Sequence, residues 1–301
     1  MLALRDGTEL PLASRLQRRN GMRCVPVSIR NGIPSICAVV SLLLLMHPGG
    51  TEAASTLTHE TLTAYKAMAA RIQSRFLGEA RHEVPTTTTT LLHGEITVEP
   101  GSDDGILKVP KELVHHWRGA AFIPRVTLAD VLAVARSYDE YSKIYDSIVA
   151  SQLVAQRGNT YETAMRISKS EGPVSAVLDI HSTVTYVTVT SRRAFSVSVA
   201  NGISEIRNAG RADERSVPPG QDRGYLWRAH VFSLFVANDQ GVYVATETLG
   251  LSRRFPTLLA WAIEPVARHL GRNSAEGSLA ALREAVVARL TAGVPGRRGS
   301  P

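Results

Sequence analysis

The chain has 301 residues, of which 44% are hydrophobic and 20% are charged. This composition is ordinary for a globular protein, and it excludes a fully disordered chain, a collagen-like fibre and a protein with several membrane spans. The formal net charge is +7, but six arginines against three acids in residues 1–53 supply +3 of it. Because Arg297 and Arg298 supply two more positive charges, the excess lies at the ends and does not indicate a nucleic-acid-binding face.

Residues 23–55 have the pattern of a secretory signal peptide. Arg23 and Arg30 form a basic region, and Ile36–Met46 is an apolar run interrupted only by one serine. Thr51–Ala53 then supplies small residues for cleavage after position 53. The pattern predicts export to a periplasm or to the extracellular medium.

Three alternatives for this leader stay open. Cleavage after Ser55 is the second choice, and Met22 begins a better-proportioned signal than Met1. An uncleaved anchor is the third, although the apolar run is shorter than the roughly 20 residues that span a bilayer. Because Cys24 and Cys37 both lie in the leader, the mature chain is predicted to lack cysteine, and with it disulfides, thiolate metal sites and a cysteine nucleophile. We expect no stable membrane span after cleavage.

An amphipathic helix over 58–80 is the first predicted element after the leader. Leu62, Tyr65, Ile72 and Phe76 recur at helical spacing and give the helix one apolar face. This face predicts packing on the rest of the domain. Five threonines in a row and the residues after them then favour a strand.

The next segment predicts strands and two short helices. Ile106–Ile123 is interpreted as a strand pair or one long bent strand, ended by Pro124. Thr127 and Asp130 have the spacing of an N-cap and a capping box, which begins a helix. A second short helical or turn segment carries the tyrosines of residues 138–145.

A long β-rich stretch follows, and the chain ends in helix. Asn201-Gly202 indicates either a hairpin or a bulge within one strand, and 208–223 is a long loop. Apolar stripes predict a C-terminal helix with a kink at Pro265 and an interruption at 271–273. The predicted strands are 148–157, 160–168, 174–190, 193–207, 225–236 and 241–250.

The predicted organisation therefore has four parts. They are a leader (1–54), an N-terminal helix (55–85), a main domain (86–292) and a disordered tail (293–301).

Several short motifs resemble a known superfamily. They are His115–Gly119 with Phe122–Pro124, the tyrosines of residues 138–145, Gly224–Arg228, and Glu247 with Leu251–Arg253. Together with the element order they resemble the START-like helix-grip (SRPBCC) superfamily, in particular uncharacterised secreted bacterial members. The resemblance implies an α+β fold. In it a curved antiparallel sheet wraps around a long C-terminal helix and leaves an apolar cavity, with the N-terminal helix as an addition.

Each candidate polar residue also has an ordinary structural interpretation. His115 and His116 are neighbours in a strand, so they point to opposite faces and cannot hold one metal together; no metal site is predicted. Glu247 lies mid-strand among apolar residues and must be paired, hydrogen-bonded or protonated. A structural pair is the first interpretation, a polar anchor on the cavity wall the second, and an acid/base role with His230 the third.

The turn at 238–241 sets the register of the two strands beside it. If Ala237 pairs with Val242, Glu247 lies opposite Phe232, and it shares a face with His230.

The superfamily includes lipid carriers, coenzyme Q-binding proteins and polyketide cyclases, so the resemblance leaves the function open. We expect a secreted binding protein for a hydrophobic or amphipathic small molecule, lipid-like or isoprenoid-like, with no cofactor. The alternatives are a cyclase- or hydrolase-type enzyme using cavity acids and bases, and a structural protein whose cavity is filled. The predicted ligand-binding residues are Trp117, Tyr145, Arg166, Trp227, His230, Tyr243, Glu247 and Trp261.

Overall fold

The computed structural model describes residues 57–81, 95–110, 112–171, 174–218, 221–254 and 257–293, with the backbone alone for 171, 174, 257–263 and 293. The predicted leader, the threonine run and residues 294–301 lie outside the described residues. The helices are α1 (His59–Arg81), α2 (Leu128–Ala135), α3 (Tyr141–Ile144) and α4 (Thr257–Gly293). The strands are β1 (Ile96–Pro100), β2 (Ile106–Val109), β3 (Glu112–Pro124), β4 (Ile148–Arg157), β5 (Thr160–Glu171), β6 (Val174–Thr190), β7 (Arg193–Arg207), β8 (Arg215–Ser216), β9 (Arg228–Asn238) and β10 (Gly241–Arg253).

The strands pair antiparallel in the order β1-β3-β10-β9-β7-β6-β5-β4, while β2 pairs with β3 and β8 with β7. The long C-terminal helix α4 packs on one face of this sheet through Leu279, Leu282 and Val286. An antiparallel sheet packed on a long C-terminal helix, with a further helix before the strands, confirms the predicted helix-grip α+β fold.

The two faces of the sheet bury separate apolar layers, because successive residues of a strand point to opposite sides. We call the face that contacts α4 the inner face; Ala121, Phe235 and Val244 belong to its layer. We call the opposite face the outer face, and Phe232 and Leu249 belong to its layer. The sheet is therefore covered on both sides, by different helices.

Helix α1 covers the outer face and matches the prediction for 58–80 to within one residue at each end. Tyr65, Ile72 and Phe76 are at most 6% exposed and pack in the outer apolar layer. Leu62 is half-buried. The prediction that this apolar face packs on the domain is confirmed.

Helix α2 begins with the predicted capping box. The backbone N–H of Asp130 donates to Thr127 Oγ1 at 3.2 Å, and the backbone N–H of Thr127 donates to Asp130 Oδ2 at 2.8 Å. The segment 106–123 forms two strands, as the first of its two interpretations predicted. The short helical segment with the tyrosines is also present, as a 3₁₀ turn (Tyr138–Glu140) followed by α3.

The predicted interruption of the C-terminal helix is wrong, since α4 runs continuously through residues 271–273 and holds Pro265 in its interior. Gly271 faces the indole ring of Trp117, and a Cβ added there would overlap the ring nitrogen. The glycine thus permits close packing of helix on sheet rather than ending the helix. Glycine costs roughly 1 kcal/mol relative to alanine in a helix interior, and here an alanine methyl group would overlap the ring.

The six predicted strands of the β-rich stretch are present, with ends that differ by up to three residues. At Asn201 the β6–β7 register shifts, because Ala200 pairs with Ser182 and Gly202 pairs with His181. The bulge interpretation of Asn201-Gly202 is therefore confirmed. The predicted long loop after β7 holds the short strand β8, which pairs with the end of β7.

Candidate functional site

A row of hydroxyl side chains crosses the centre of the inner face. Strand pairing places Thr246 opposite Ser233, Ser233 opposite Ser196, and Ser196 opposite Tyr186. Since neighbouring strands lie about 4.8 Å apart, these four residues form a line of about 14 Å. We call them the hydroxyl row.

The inner face is open at the β9–β10 end of this row, whereas Ser196 and Tyr186 are only 5% and 4% exposed. Ser233 and Thr246 are half-buried, although they lie on central strands of the sheet. Their neighbours on the next line, Ser198, Val231 and Thr248, are half-buried as well. Solvent-reachable space therefore remains beside small side chains, and we call the space lined by these five residues and the rest of the hydroxyl row the inner groove.

On the outer face of the same strands, the positions directly beside this opening are closed. Phe232 and Leu249 are 0% exposed and Glu247 is 1% exposed. Each of these residues is adjacent in sequence to a half-buried residue of the inner groove. The contrast is one of packing: large side chains under α1 on one side, and small ones on the other.

Trp117 lies at the edge of the inner groove, opposite Thr248. It is 5% exposed and packs against α4 at Gly271. Its indole nitrogen has no hydrogen-bond partner among the described residues. The structure thus places this predicted ligand-binding residue on the inner face, in a packed position at the wall.

Tyr145 belongs to a cluster of tyrosines at the end of the groove near α2. The hydroxyl groups of Tyr141 and Tyr186 donate to the carbonyl oxygen of Ala135 at 2.6 and 2.8 Å. Burial raises the pKa of Tyr186 to about 12, so its hydroxyl stays protonated near neutral pH. Ring contacts with centroid distances of 4.8–5.6 Å join the members of the cluster, Tyr138, Tyr141, Tyr145, Tyr161 and Tyr186.

Trp227 lines a small pocket beyond the bulge in β7. Its indole N–H donates to Asp222 at 2.8 Å, and the buried Glu205 lies in the same wall. The pocket has an empty volume of ≈200 Å³, which includes its part open to solvent. Ligand pockets usually enclose about 300–1,000 Å³, so this pocket alone is small for a lipid-sized molecule.

Glu247 is the centre of a polar cluster under α1. His116 Nε2 donates to its carboxylate at 2.6 Å and Arg118 Nε donates at 3.1 Å. Arg75 of α1 forms a further ion pair with it. The cluster joins the N-terminal helix to strands β3 and β10, as expected for the structural pair that was the first interpretation of this residue.

These partners keep the carboxyl group of Glu247 ionised. Burial alone would raise the pKa of this carboxyl group. The hydrogen bonds from His116 and Arg75, with the positive charges of Arg75 and Arg118, outweigh burial and hold the pKa below its ordinary value. Glu247 is therefore an ionised structural residue, and a role as general acid near neutral pH has no support.

The predicted register of β9 and β10 is confirmed, since Ala237 pairs with Val242 and Glu247 lies opposite Phe232. Glu247 and His230 do share a face, but it is the outer face and not the groove. Tyr65 of α1 hydrogen-bonds to His230 Nδ1 at 2.9 Å. The expectation that Glu247 and His230 line a cavity beside the C-terminal helix is corrected: register fixes which residues share a face, and the helix that covers that face is α1.

Arg166 and Tyr243 also lie on the outer face. Arg166 forms a two-point ion pair with Asp179, at 2.7 and 2.8 Å, and a third contact with Glu214 at 2.8 Å. Tyr243 lies opposite Phe122 and Val236. Neither reaches the inner groove, because strand alternation turns both away from it. Trp261 lies in α4, and its side chain is outside the described part of the structure.

His115 and His116 point to opposite faces, as predicted. His115 Nε2 lies 2.7 Å from Ser252 Oγ, whereas His116 contacts Glu247. Burial lowers the pKa of His115 to about 4, so its ring is neutral at pH 7. Within the described ranges, no group of three histidine, cysteine or acidic side chains is placed to hold a metal ion.

Two features of the site were not predicted from the sequence, namely the hydroxyl row and the partner of Glu247 on α1. The signal for the row was present, because Ser196 and Ser198 in one strand, and Thr246 and Thr248 in another, have the alternate spacing of a single face. Arg75 carried no comparable signal. It is one of several arginines on α1, and its partner is 172 positions away along the chain.

Comparison with solved structures finds similar proteins, with low identity. A STAR-related lipid transfer protein from Xanthomonas axonopodis is 17% identical, with a TM-score of 0.40 over 60% of this chain and 97% of that one. The Zhui aromatase/cyclase from Streptomyces sp. R1128 is 9% identical, with a TM-score of 0.41 over 60% and 99%. Human STARD10 is 7% identical, with a TM-score of 0.42 over 80% and 84%.

No protein-family model matches the chain, and no curated protein matches it. The fold assignment accordingly rests on the strand order and on the helices that cover each face. In the described ranges, no helix has both the length and the apolar character needed to cross a membrane.

Proposed function

We propose that this protein binds a hydrophobic or amphipathic small molecule in the inner groove, between the sheet and the C-terminal helix. The main support for this proposal is the difference in exposure between adjacent residues at the centre of the sheet. Ser233 and Thr246 on the inner face are half-buried, whereas Phe232 and Glu247 beside them are sealed. A position at the centre of the sheet that stays partly exposed on one face leaves room for a ligand.

The lining of the groove indicates the kind of guest. Val231 and Trp117 supply apolar surface, while the serine and threonine hydroxyl groups of the row can both donate and accept hydrogen bonds. Ligand sites typically combine an apolar wall with a few polar groups that fix orientation. An amphipathic molecule with oxygen-bearing groups meets both requirements.

Two other functions were expected as alternatives. A structural protein with a filled cavity is disfavoured, because five residues of the groove, among them Ser233 and Thr246, stay half-buried at the centre of the sheet. An enzyme using His230 and Glu247 is disfavoured, because both side chains lie under α1 with structural partners. No observation on the described residues favours either over binding.

We further propose that the protein acts outside the cytoplasm, as a periplasmic or extracellular protein. The support is the signal-peptide pattern of residues 23–55, together with the restriction of cysteine to this leader. N-terminal sequencing of exported protein tests it. A start at residue 54 or 56 is the expected result, and retention of residues 30–50 would contradict cleavage.

Native mass spectrometry of protein purified from its own host tests the binding proposal. The expected spectrum shows the chain with an additional mass of a few hundred daltons, on the order of a lipid-sized ligand. Organic solvent should release this mass for identification. A spectrum of the bare chain, with no binding of lipid-like fluorescent probes in titration, would overturn the proposal.

A further inference from the structure

Arg136 lies at the end of the hydroxyl row, directly after α2. We propose that Arg136 recognises an anionic oxygen group of the ligand, a carboxylate or a phosphate, so that the ligand is an amphipathic acid. This inference rests on the proposed binding function and adds the chemical class of the ligand's polar end.

The position of Arg136 is fixed by an aromatic ring of the inner face. Its guanidinium carbon lies 4.6 Å from the centre of the Tyr186 ring. Tyr186 is the β6 member of the hydroxyl row and lies opposite Ser196. The cation therefore stands where the line of hydroxyl groups ends.

Arg136 has no carboxylate partner among the described residues, unlike four other half-buried arginines of the domain. Arg166 pairs with Asp179 and Glu214, and Arg268 pairs with Asp104 and Glu264. Arg75 and Arg118 share Glu247. Among the described residues no carboxylate forms an ion pair with Arg136, and its Nε atom is buried without a hydrogen-bond partner.

A sheltered guanidinium without a counterion is costly, because desolvation of the charge is not compensated. The planar fork of the side chain matches the two oxygens of a carboxylate or a phosphate. Arg136 is half-buried rather than sealed, so a small molecule can reach part of it. A bound anion would supply the partner that the described part of the protein does not.

The nearby polar groups leave this role to Arg136. Tyr138 donates to Tyr186, and Tyr186 donates to the carbonyl oxygen of Ala135. The hydroxyl groups of Tyr138 and Tyr186 therefore already have hydrogen-bond partners, in each other and in the carbonyl oxygen of Ala135 at the end of α2. An acid bound at Arg136 would extend past Ser196 toward β3 along the row, over about 14 Å at the usual strand spacing.

A purely structural role predicts something different. The end of a helix attracts a cation, and the guanidinium also gains from the Tyr186 ring. In that case loss of Arg136 would lower stability without changing which ligand is preferred. The experiment must therefore compare a charged ligand with its neutral counterpart.

The test is a fluorescence titration of the purified full chain with dansyl-labelled undecanoic acid and with the methyl ester of the same molecule. We expect wild-type protein to bind the acid at least about tenfold more tightly than the ester, which corresponds to one charged hydrogen-bonded contact. Arg136→Gln should bring the two affinities together, mainly by weakening the acid. Arg136→Lys should retain part of the preference.

Arg228→Gln is the matched control. Arg228 is also half-buried, and it lies on the outer face, where it donates to the carbonyl oxygen of Trp227 at 2.7 Å. This variant should keep the wild-type preference for the acid. Competition with decanoate and with dodecyl phosphate then separates the two anion classes, and displacement by either supports an anionic ligand.

The outcomes separate the two proposals. If wild-type protein binds acid and ester equally, or if Arg136→Gln keeps the preference, the role of Arg136 is refuted while groove binding stands. If neither probe binds, the proposed function itself fails. If Arg136→Gln does not fold, equal binding of acid and ester by the wild type still refutes the proposal, and a full wild-type preference in Arg136→Ala would refute it as well.

Discussion

The two faces of the sheet are covered in different ways. On the outer face, α1 lays Tyr65 and Phe76 over large apolar residues, and the buried Glu247 receives three cationic or ring N–H partners. On the inner face, the small hydroxyl residues Ser233 and Thr246 stay half-buried beside α4. At the centre of the sheet, the same strands thus bury Phe232 and Glu247 on one side and leave Ser233 and Thr246 partly exposed on the other.

This difference shows where burial of a charged group indicates structure and where it indicates function. Glu247 is buried and fully partnered, which is the mark of a structural cluster. Arg136 is sheltered and has no carboxylate partner among the described residues. Glu247 and Arg136 thus differ mainly in whether the charged group has hydrogen-bond and ion-pair partners, and less in how far it is buried.

The largest expected effect on stability comes from removal of the charge of Glu247, which lies on the outer face. Glu247→Gln leaves Arg118 and the ring of His116 without their anion, and it leaves Arg75 with Glu79 alone. Since removal of one partner from a buried pair is strongly destabilising, we expect the free energy of unfolding to fall by about 3 kcal/mol. Urea denaturation measures the change.

Glu79→Gln is the matched control for that variant, because Glu79 also pairs with Arg75 but lies at the surface. We expect it to cost less than about 1 kcal/mol. Equal effects of the two substitutions would show that the cluster under α1 is not special. Ligand binding should be retained in both variants.

The pH dependence of stability sharpens the same contrast. The pKa of Glu247 in the folded protein lies below its ordinary value of 4.5. Its contribution to stability is therefore complete above pH 4.5 and is lost as the pH falls through the lowered value. The wild-type protein should lose more stability than Glu247→Gln over this acid range. Parallel curves in denaturation series at falling pH would contradict the assignment.

A pair of glycines in α4 tests the packing of the inner face. Gly271→Ala should destabilise the protein by about 2 kcal/mol, because the added methyl group overlaps Trp117. Gly277→Ala has no atom within 4 Å of the added Cβ. It should stabilise by up to about 1 kcal/mol through helix propensity. Thermal unfolding of both variants checks the prediction, and a stabilising Gly271→Ala would refute the close contact.

The smallest expected effect concerns the capping box at α2, which borders the groove. Thr127→Ala removes the side-chain acceptor for the backbone N–H of Asp130 and should cost about 1 kcal/mol. Thr127→Ser keeps that acceptor and should stay near wild type. A fall in stability of equal size in both variants would show that the methyl group matters and the cap does not.

The fold was largely predictable, because its signals are local. Alternation and turn residues located the strands, and the turn at 238–241 placed Glu247 opposite Phe232 correctly. The capping residues located α2. Gly271 was misread, because only its contact with Trp117 explains a glycine inside a helix.

The candidate site was less predictable, because alternation tells which residues share a face and not which helix covers it. Glu247 and His230 were paired correctly in register but assigned to the wrong side. Arg166 lies on the outer face and forms ion pairs with two acids from other segments of the chain, one of them Glu214. Such partners carry no sequence spacing that links them.

Filling each face in turn tests the central claim most directly. Ser233→Phe adds a ring to the inner groove, and Ala245→Phe adds the same ring at a half-buried position of the outer face. In titrations with dansyl-labelled undecanoic acid, Ser233→Phe should weaken binding at least about tenfold, equivalent to 1.4 kcal/mol. Ala245→Phe should bind as the wild type does. Unchanged binding by folded Ser233→Phe, or equal losses in both variants, would contradict a binding site on the inner face.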